Sequence, residues 1–233
     1  LPHLLFYGPP GTGKTSTIIA CAKKMYGAKY AHMTLELNAS DERGINVVRD
    51  QIKNFCSTQQ LISSGIKLVV LDEADSMTSA AQFALRRIIE KSTKTTRFCI
   101  ICNYVSKIIP ALQSRCTRFR FGPLSGDEQL QRLTEIAETE KLSFDEGGLR
   151  SIIKLSDGDM RRALNLMQSA SMTSATINKS TVYTCAGKPH PDDIELMMKS
   201  VLNDQFETAY RGIMNVKAEK GISLLDMIRE FHR

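Results

Sequence analysis

The stretch Gly8-Pro9-Pro10-Gly11-Thr12-Gly13-Lys14-Thr15 decides the fold of this 233-residue chain. It follows a strand-like apolar run and precedes a helical one, and its spacing is GxxxxGK[ST]. In such a loop the backbone N–H groups and the N-terminus of the following helix bind phosphates. We expect Lys14 to reach the β- and γ-phosphates of ATP and the Thr15 hydroxyl to hold Mg²⁺. All eight loop residues are therefore predicted to bind the nucleotide.

Strand and helix patterns alternate on either side of this loop. Alternation at this spacing predicts an α/β fold, with a parallel sheet covered by helices on both faces. The runs Leu68–Leu71 and Phe98–Cys102 are continuously apolar, as central parallel strands are. The predicted strands are Leu4–Tyr7, Thr34–Asn38, Lys67–Leu71 and Phe98–Cys102, and the predicted helices are Ser16–Met25, Ile45–Phe55 and Ala80–Lys91.

The pattern changes after residue 121. Ser125 and Glu128 have the spacing of a helix capping box, helical periodicity dominates, and we expect no further strand. A second break, Gly187-Lys-Pro-His-Pro191, precedes another helical stretch. The sequence therefore predicts three domains: 1–121 with the phosphate loop, 122–187 as a small helical domain, and 188–233 as the start of an all-helical domain.

Carboxylates follow the strand Lys67–Leu71. Asp72 and Glu73 stand at its carboxyl end, where ligands bind in open parallel sheets. Asp72 is predicted to serve the magnesium ion, and Glu73 to activate the attacking water. Asn103 ends the next apolar strand and is expected beside the same crevice, where its amide can position a water or contact the γ-phosphate.

The composition excludes several classes of protein. The six cysteines are scattered and no secretory signal precedes them, which favours free thiols in a reducing compartment. Cys99 and Cys102 are three apart in a predicted strand, so they point to opposite faces and are not expected to share a metal. The four histidines lack zinc-ligand spacing. No apolar run reaches the roughly 20 residues that span a bilayer, so no membrane partner is expected.

Five motifs together carry a resemblance to a known family. Their order along the chain resembles that of the motifs of clamp-loader AAA+ ATPases. The sequences of Asn38–Gly44 and of Ser114-Arg115-Cys116 are similar to those of replication factor C small subunits. The resemblance covers residues 1–187. The motifs are Gly8–Thr15, Asp72–Asp75, Asn103, Ser114–Cys116 and Gly158–Asn165.

The resemblance implies more than the residues alone. It implies a P-loop AAA+ domain, a helical lid and the start of a helical collar. Arg115 corresponds to an arginine finger that completes the ATP site of the neighbouring subunit in trans. Arg161 corresponds to the sensor-2 arginine of the lid, although the adjacent Arg162 fits the pattern equally well. Read without the family, Arg115 is a surface cation at a helix end.

The implied partners are the other subunits of a hetero-pentamer, the sliding clamp proliferating cell nuclear antigen and primer-template DNA, in the nucleus. The implied activity is ATP hydrolysis coupled to opening the clamp and loading it onto DNA. Relatives carry a segment before the phosphate loop that helps hold the adenine, and a complete collar. We therefore expect this sequence to be truncated at both ends.

The predicted helix after Asn38–Asp41 carries a basic stripe. The net charge of +6 suits a polyanionic partner, and cations beside a helix N-terminus suit phosphate. Without the resemblance a solvated polar face is the simpler reading; with it we expect DNA backbone contact without sequence readout. The expected DNA-contacting residues are Arg43, Asn46, Arg49 and Lys53. In relatives a basic residue on the helix after the acidic residues relays DNA contact to the catalytic glutamate. By this resemblance Arg86 or Arg87 could have that role; without it, both fit a solvated helix face.

Two other functions fit parts of the pattern. One is an ATP-binding but mainly structural subunit of a related AAA+ DNA-processing complex, against which the intact loop and Asp72-Glu73 count. The other is a small-metabolite kinase, which Glu73 and the lid arginine disfavour because both suit hydrolysis.

Overall fold

The computed structural model of the chain describes residues 1–40, 45–57, 65–221 and 223–231, without the side chains of residues 45–49, 219–220, 226 and 230. The described residues form two compact units, 1–123 and 124–233. None of the described helices combines the length and apolar character needed to cross a bilayer.

The first unit is built on one parallel sheet. Its strands are β1 (His3–Tyr7), β2 (Thr34–Asn38), β3 (Lys67–Asp72), β4 (Thr96–Cys102) and β5 (Cys116–Arg120), arranged in the order β2-β3-β4-β1-β5. All four neighbouring pairs are parallel. The predicted α/β fold is therefore confirmed, and β1 lies between β4 and β5 inside the sheet.

Helices cover both faces of this sheet, because successive side chains of each strand point to opposite sides. On one face Leu4, Phe6 and Ile101 pack with Ile18 and Ala22 of the first helix. On the other, strand residues pack with the third, fourth and fifth helices. The helices are α1 (Lys14–Tyr26), α2 (Tyr30–Met33), α3 (Ile45–Ser57), α4 (Ser79–Ser92) and α5 (Pro110–Gln113).

The two cysteines of the CxxC pair lie on opposite faces of the sheet. Cys99 belongs to the core that packs on α1, and Cys102 to the core that packs on α3 to α5. Burial raises the pKa of both thiols, that of Cys102 to about 12. Both are therefore protonated core residues at neutral pH.

The second unit is mainly helical. Its elements are α6 (Gly126–Thr139), β6 (Ser143–Phe144), α7 (Glu146–Ser156), α8 (Met160–Thr173), β7 (Thr176–Ile177), α9 (Lys179–Ala186), α10 (Pro191–Asn203), α11 (Phe206–Lys220) and α12 (Leu224–Phe231). Helix α6 begins with the predicted capping box between Ser125 and Glu128. The expectation of no further strand is wrong, because β6 and β7 form a short parallel pair; two-residue strands leave no periodicity in the sequence.

This unit contains two separate apolar cores. The first joins α6 to α9 around buried residues such as Leu133, Ile152 and Met167. The second joins α10 to α12 around Met197 and Met227.

Candidate active site

The phosphate loop connects β1 to α1 and depends on a glycine at its first position. Gly8 has a φ of +142°, and a Cβ at this residue would lie 2.0 Å from the backbone oxygen of Phe121. The same segment is fixed by a 2.8 Å hydrogen bond from Phe121 N to Tyr7 O. No side chain fits between these two backbones, so residue 8 has to be glycine.

The rest of the loop leaves the start of α1 open to an anion. Gly11 and Gly13 have φ values of +67° and +87°. The Thr12 side chain turns inward and donates a 2.9 Å hydrogen bond to Pro9 O. Gly13 is the N-cap residue of α1 and supplies no side-chain cap. The first N–H groups of a helix need an acceptor from outside, and a phosphate is a suitable one.

Lys14 is held by oxygen atoms at the base of the loop. Its ammonium donates to Gly8 O and Pro9 O, both at 2.7 Å, and to Asn103 Oδ1 at 3.1 Å. The side chain is only 7% exposed. The structure therefore brings Lys14 and Asn103 together, as expected for two residues of one phosphate site.

Thr15 and Asp72 form the second contact between distant parts of the chain. The Thr15 hydroxyl donates a 2.6 Å hydrogen bond to Asp72 Oδ2, while Asp72 Oδ1 accepts from Glu73 N at 2.8 Å. A hydroxyl and a carboxylate side by side form the oxygen-rich ligand set that Mg²⁺ prefers. These two residues therefore fit the ion.

Glu73 has an unusual backbone. Its φ of +52° and ψ of 36° place it in the left-handed region, which few residues other than glycine adopt. Its carbonyl accepts from the backbone N–H and the hydroxyl of Ser76, at 2.9 and 2.7 Å. Its side chain is exposed at the end of β3. Strained backbone of this kind concentrates at functional sites.

Asp75 has a role that the sequence did not reveal. Its Oδ2 accepts from the backbone N–H groups of Asn103 and Tyr104, at 3.2 and 3.1 Å. The carboxylate thereby fixes the turn that carries the Asn103 amide beside Lys14. The position of Asp75 two residues after Glu73 indicated that it lies near the site. The sequence did not indicate its partner Asn103, which is 28 positions further along the chain.

Gln82 is a second residue that sequence reasoning missed. It is 1% exposed in α4. Its amide nitrogen donates to Met77 O and Lys107 O, at 3.2 and 2.9 Å, and its oxygen accepts from Ile109 N at 2.8 Å. It ties the turn after Glu73 to the segment that leads into α5. A glutamine on the apolar face of a helix was the signal, because buried amides need partners.

Arg115 lies at the opposite end of the sheet from the phosphate loop. It directly precedes β5, whose first residue Cys116 pairs with His3, whereas the loop begins after Tyr7, which pairs with Arg120. The five residues of β1 rise about 16 Å, which is well beyond the reach of one arginine side chain. Arg115 therefore does not contact its own phosphate loop. Helix α5, which precedes Arg115, starts at Pro110.

The lid arginines lie in the second unit. Arg161 and Arg162 are both exposed in the first turn of α8, where Asp159 Oδ1 accepts from Arg162 N at 3.1 Å. The choice between them as the sensor-2 residue therefore stays open.

The expected DNA-contacting residues are only partly described. Arg43 lies outside the described residues, and Asn46 and Arg49 are placed in α3 without their side chains. Lys53 is exposed, with its ammonium 3.9 Å from Asp50. It lines a pocket of about 560 Å³ between α3 and α4, and no described lining residue is acidic. The lining residues are Lys53, Cys56, Ser57, Ala84, Arg87, Ile88, Lys91, Ser92 and Thr95.

Three family models match successive parts of the sequence. Residues 4–124 match the ATPase family associated with various cellular activities (AAA). Residues 131–172 match the RCF1/5-like AAA+ ATPase lid domain. Residues 189–233 match the replication factor C C-terminal domain.

Curated relatives align with nearly the whole chain. Replication factor C subunit 5 of Homo sapiens is 56% identical, covering 100% of this chain and 68% of the human protein. Replication factor C subunit 3 of Oryza sativa is 57% identical, covering 99% and 64%. Subunit 3 of Saccharomyces cerevisiae is 52% identical, covering 98% and 68%. The chain thus spans about two thirds of the length of these relatives.

Two solved structures share the fold at low identity. The Aeropyrum pernix Orc1 protein in complex with DNA has a TM-score of 0.63 at 18% identity, covering 98% of this chain and 75% of that one. The Thermotoga maritima RuvB Holliday junction branch migration motor has a TM-score of 0.59 at 16% identity, covering 97% and 77%. At this identity the likeness concerns the fold alone.

Proposed function

Because this chain belongs to the replication factor C family of AAA+ ATPases, we propose that it binds and hydrolyses ATP as one subunit of a clamp loader. The observation that carries the proposal is the meeting of three strand ends in one site. The loop after β1 supplies Lys14 and Thr15, the end of β3 supplies Asp72, and the turn after β4 supplies Asn103. Parallel strands bind ligands at this edge.

Nucleotide binding rests on the loop and on Lys14. The open N-terminus of α1 and the Lys14 ammonium together offer backbone donors and a positive charge to the β- and γ-phosphates. Thr15 and Asp72 would hold Mg²⁺, which neutralises charge on the phosphate oxygens when bound. The 2.6 Å contact between them supports this assignment, since both ligands already share one location.

Hydrolysis needs a base near the γ-phosphate and donors that stabilise its charge. Glu73 is the proposed base, because it directly follows Asp72 at the carboxyl end of β3 and is exposed. Asn103 is proposed to orient the water or the γ-phosphate through its amide. Arg161 is proposed as the lid arginine, on the resemblance alone.

Arg115 is proposed to act on the ATP of the neighbouring subunit. The strand register places it about 16 Å of β-strand away from its own loop. The ATP that Arg115 is proposed to serve is therefore not the one in its own loop. The family resemblance supports this role in trans.

The proposed nucleic-acid partner is primer-template DNA, contacted through its backbone. Lys53, Arg87 and Lys91 surround one pocket together with three hydroxyl-bearing residues. Such a set of donors suits phosphate oxygens and reads no base sequence. Arg43, Asn46 and Arg49 are proposed as further DNA contacts on the family resemblance.

The remaining proposals follow from family membership. They are assembly with other replication factor C subunits into a hetero-pentamer, loading of proliferating cell nuclear antigen, and a nuclear location. The proposed domains are 1–121, 122–187 and 188–233; the separate cores of α6–α9 and α10–α12 support the second boundary.

The test is the ATPase activity of the assembled complex, measured with and without the clamp and primed DNA. We expect turnover at this subunit's site to rise when both are present. Turnover that is absent from this site under all conditions would favour the purely structural subunit instead.

A further inference from the structure

The Arg115 guanidinium is bound by two oxygens within its own unit. Nη1 donates to Ala111 O at 2.6 Å, and Nη2 lies 2.6 Å from Glu90 Oε1. Ala111 belongs to α5 and Glu90 to the last turns of α4. The proposed arginine finger is therefore tied to two helices and not simply projected into solvent.

The Glu90 carboxylate also serves a second arginine. Arg86, one turn earlier in α4, donates from Nε to the same Oε1 at 3.0 Å. The pKa of Glu90 is held below its ordinary value by the hydrogen bonds and charges of the two arginines. Arg86 has the larger effect and Arg115 the smaller one. The carboxylate is thus ionised at neutral pH and joins Arg86 to Arg115.

These contacts leave Arg115 able to bind a further anion. A guanidinium carries five N–H groups, and the two contacts to described oxygens use one N–H on each terminal nitrogen. The side chain is 33% exposed, and that of Glu90 is 40% exposed. A restrained cation with unused donors at the surface is a preorganised ligand for a phosphoryl group.

We propose that Glu90 is a positioning residue for Arg115, holding its guanidinium in the conformation that reaches the γ-phosphate on the adjacent subunit. The proposal rests on the trans role of Arg115 argued above. Glu90 itself does not contact the nucleotide. The contact with Glu90 restricts Arg115 to few conformations, so that Arg115 loses less conformational entropy when the transition state forms. A misplaced catalytic arginine would slow the reaction.

The test uses the assembled complex in which only the neighbouring subunit retains a functional phosphate loop. Glu90→Gln should lower kcat at that site roughly tenfold and leave its KM for ATP unchanged, because a finger acts mainly in the transition state. Glu90→Asp keeps the charge on a shorter side chain, so its kcat at that site should lie between those of the wild type and of Glu90→Gln. Adding Glu90→Gln to Arg115→Ala should cause no further loss.

Glu135→Gln is the matched control. Glu135 also accepts from an arginine of its own helix, with Arg132 Nη1 at 2.9 Å, and is 48% exposed. The Glu135→Gln variant should change neither kcat nor KM at the neighbouring site. Thermal unfolding of each variant verifies that the fold is retained.

The outcomes separate the two proposals. If Arg115→Ala lowers the neighbour's turnover but Glu90→Gln behaves like Glu135→Gln, the positioning role is wrong and the trans role stands. If Glu90→Gln raises the neighbour's turnover, Glu90 holds Arg115 away from the neighbour's phosphate and the positioning role is also wrong. If Arg115→Ala itself has no effect at the neighbour, the trans role fails and the positioning role fails with it.

Discussion

The Thr15 hydroxyl lies 2.6 Å from Asp72 Oδ2, although 57 residues of sequence separate them. The contact exists because the phosphate loop leads from the end of β1 into α1, while Asp72 ends β3 at the same edge of the sheet. Two residues of the proposed magnesium site are thus brought together by the topology of the sheet, in which only β4 lies between β1 and β3.

Replacing Lys14 with alanine should weaken ATP binding. The ammonium supplies charge-assisted hydrogen bonds to the phosphates, and their loss should cost roughly 10- to 100-fold in affinity. Equilibrium binding of a fluorescent ATP analogue measures the effect. Lys24→Ala, on the exposed side of the same helix, is the control and should bind normally. Equal affinities for the two variants would contradict the phosphate-loop assignment.

Replacing Glu73 with glutamine should separate binding from hydrolysis. The amide keeps the size of the side chain but cannot accept the proton of the attacking water. Single-turnover hydrolysis at this site should fall roughly 10²-fold or more. Affinity for ATP, measured on the same variant, should stay at the wild-type value. Normal hydrolysis would mean that another group is the base.

Replacing Arg115 with alanine should impair the neighbouring site only. ATP affinity at this subunit's own loop should not change, since the strand register keeps Arg115 at the far end of the sheet. Hydrolysis at the neighbour should slow by roughly 10³-fold or more if the residue acts as a finger. Turnover is measured site by site in complexes with a single functional loop. Arg118→Ala, exposed on β5, is the control; a defect at the subunit's own site would exclude the trans role.

Removing cations from the pocket between α3 and α4 should weaken DNA binding evenly across sequences. For Lys53→Ala and Arg87→Ala, each lost phosphate contact should reduce the slope of log affinity against log salt by about one. The same expectation applies to Arg43 and Arg49. Fluorescence anisotropy with two unrelated primer-templates over a salt series measures it, with Lys24→Ala as the control. An unchanged slope, or a loss for one sequence only, would argue against backbone contact.

Much of the first unit was predictable because its central strands, β1, β3 and β4, are buried on both faces. Continuous apolar runs such as Leu68–Leu71 have few other interpretations once a phosphate loop precedes them. The predicted strand Thr34–Asn38 matches β2, and the predicted helix Ala80–Lys91 extends by one residue at each end in the structure. The pair β6 and β7 was missed because tertiary pairing, and not local pattern, creates strands of two residues.

The candidate site was predictable where motif spacing determines a role, and not where the partner is distant. Lys14 and Thr15 follow from the loop itself. Asp75 and Gln82 act on backbone groups of residues 103–109, which no local pattern pairs with them. The contact of Glu90 with Arg115 likewise depends on how α4 packs beside α5. Each of these contacts requires knowledge of three-dimensional neighbours.

The left-handed backbone of Glu73 has a consequence for how this position can vary. A non-glycine residue in that conformation costs of order 1 kcal/mol, whereas glycine adopts it without a steric penalty. With Glu73 as the proposed base, stability and turnover therefore make opposite demands on this residue. In a library randomised at position 73, selection for heat resistance alone should enrich glycine and asparagine. Selection for growth that depends on the proposed clamp loading should recover glutamate. The glutamate protein should then have a lower melting temperature than the glycine variant.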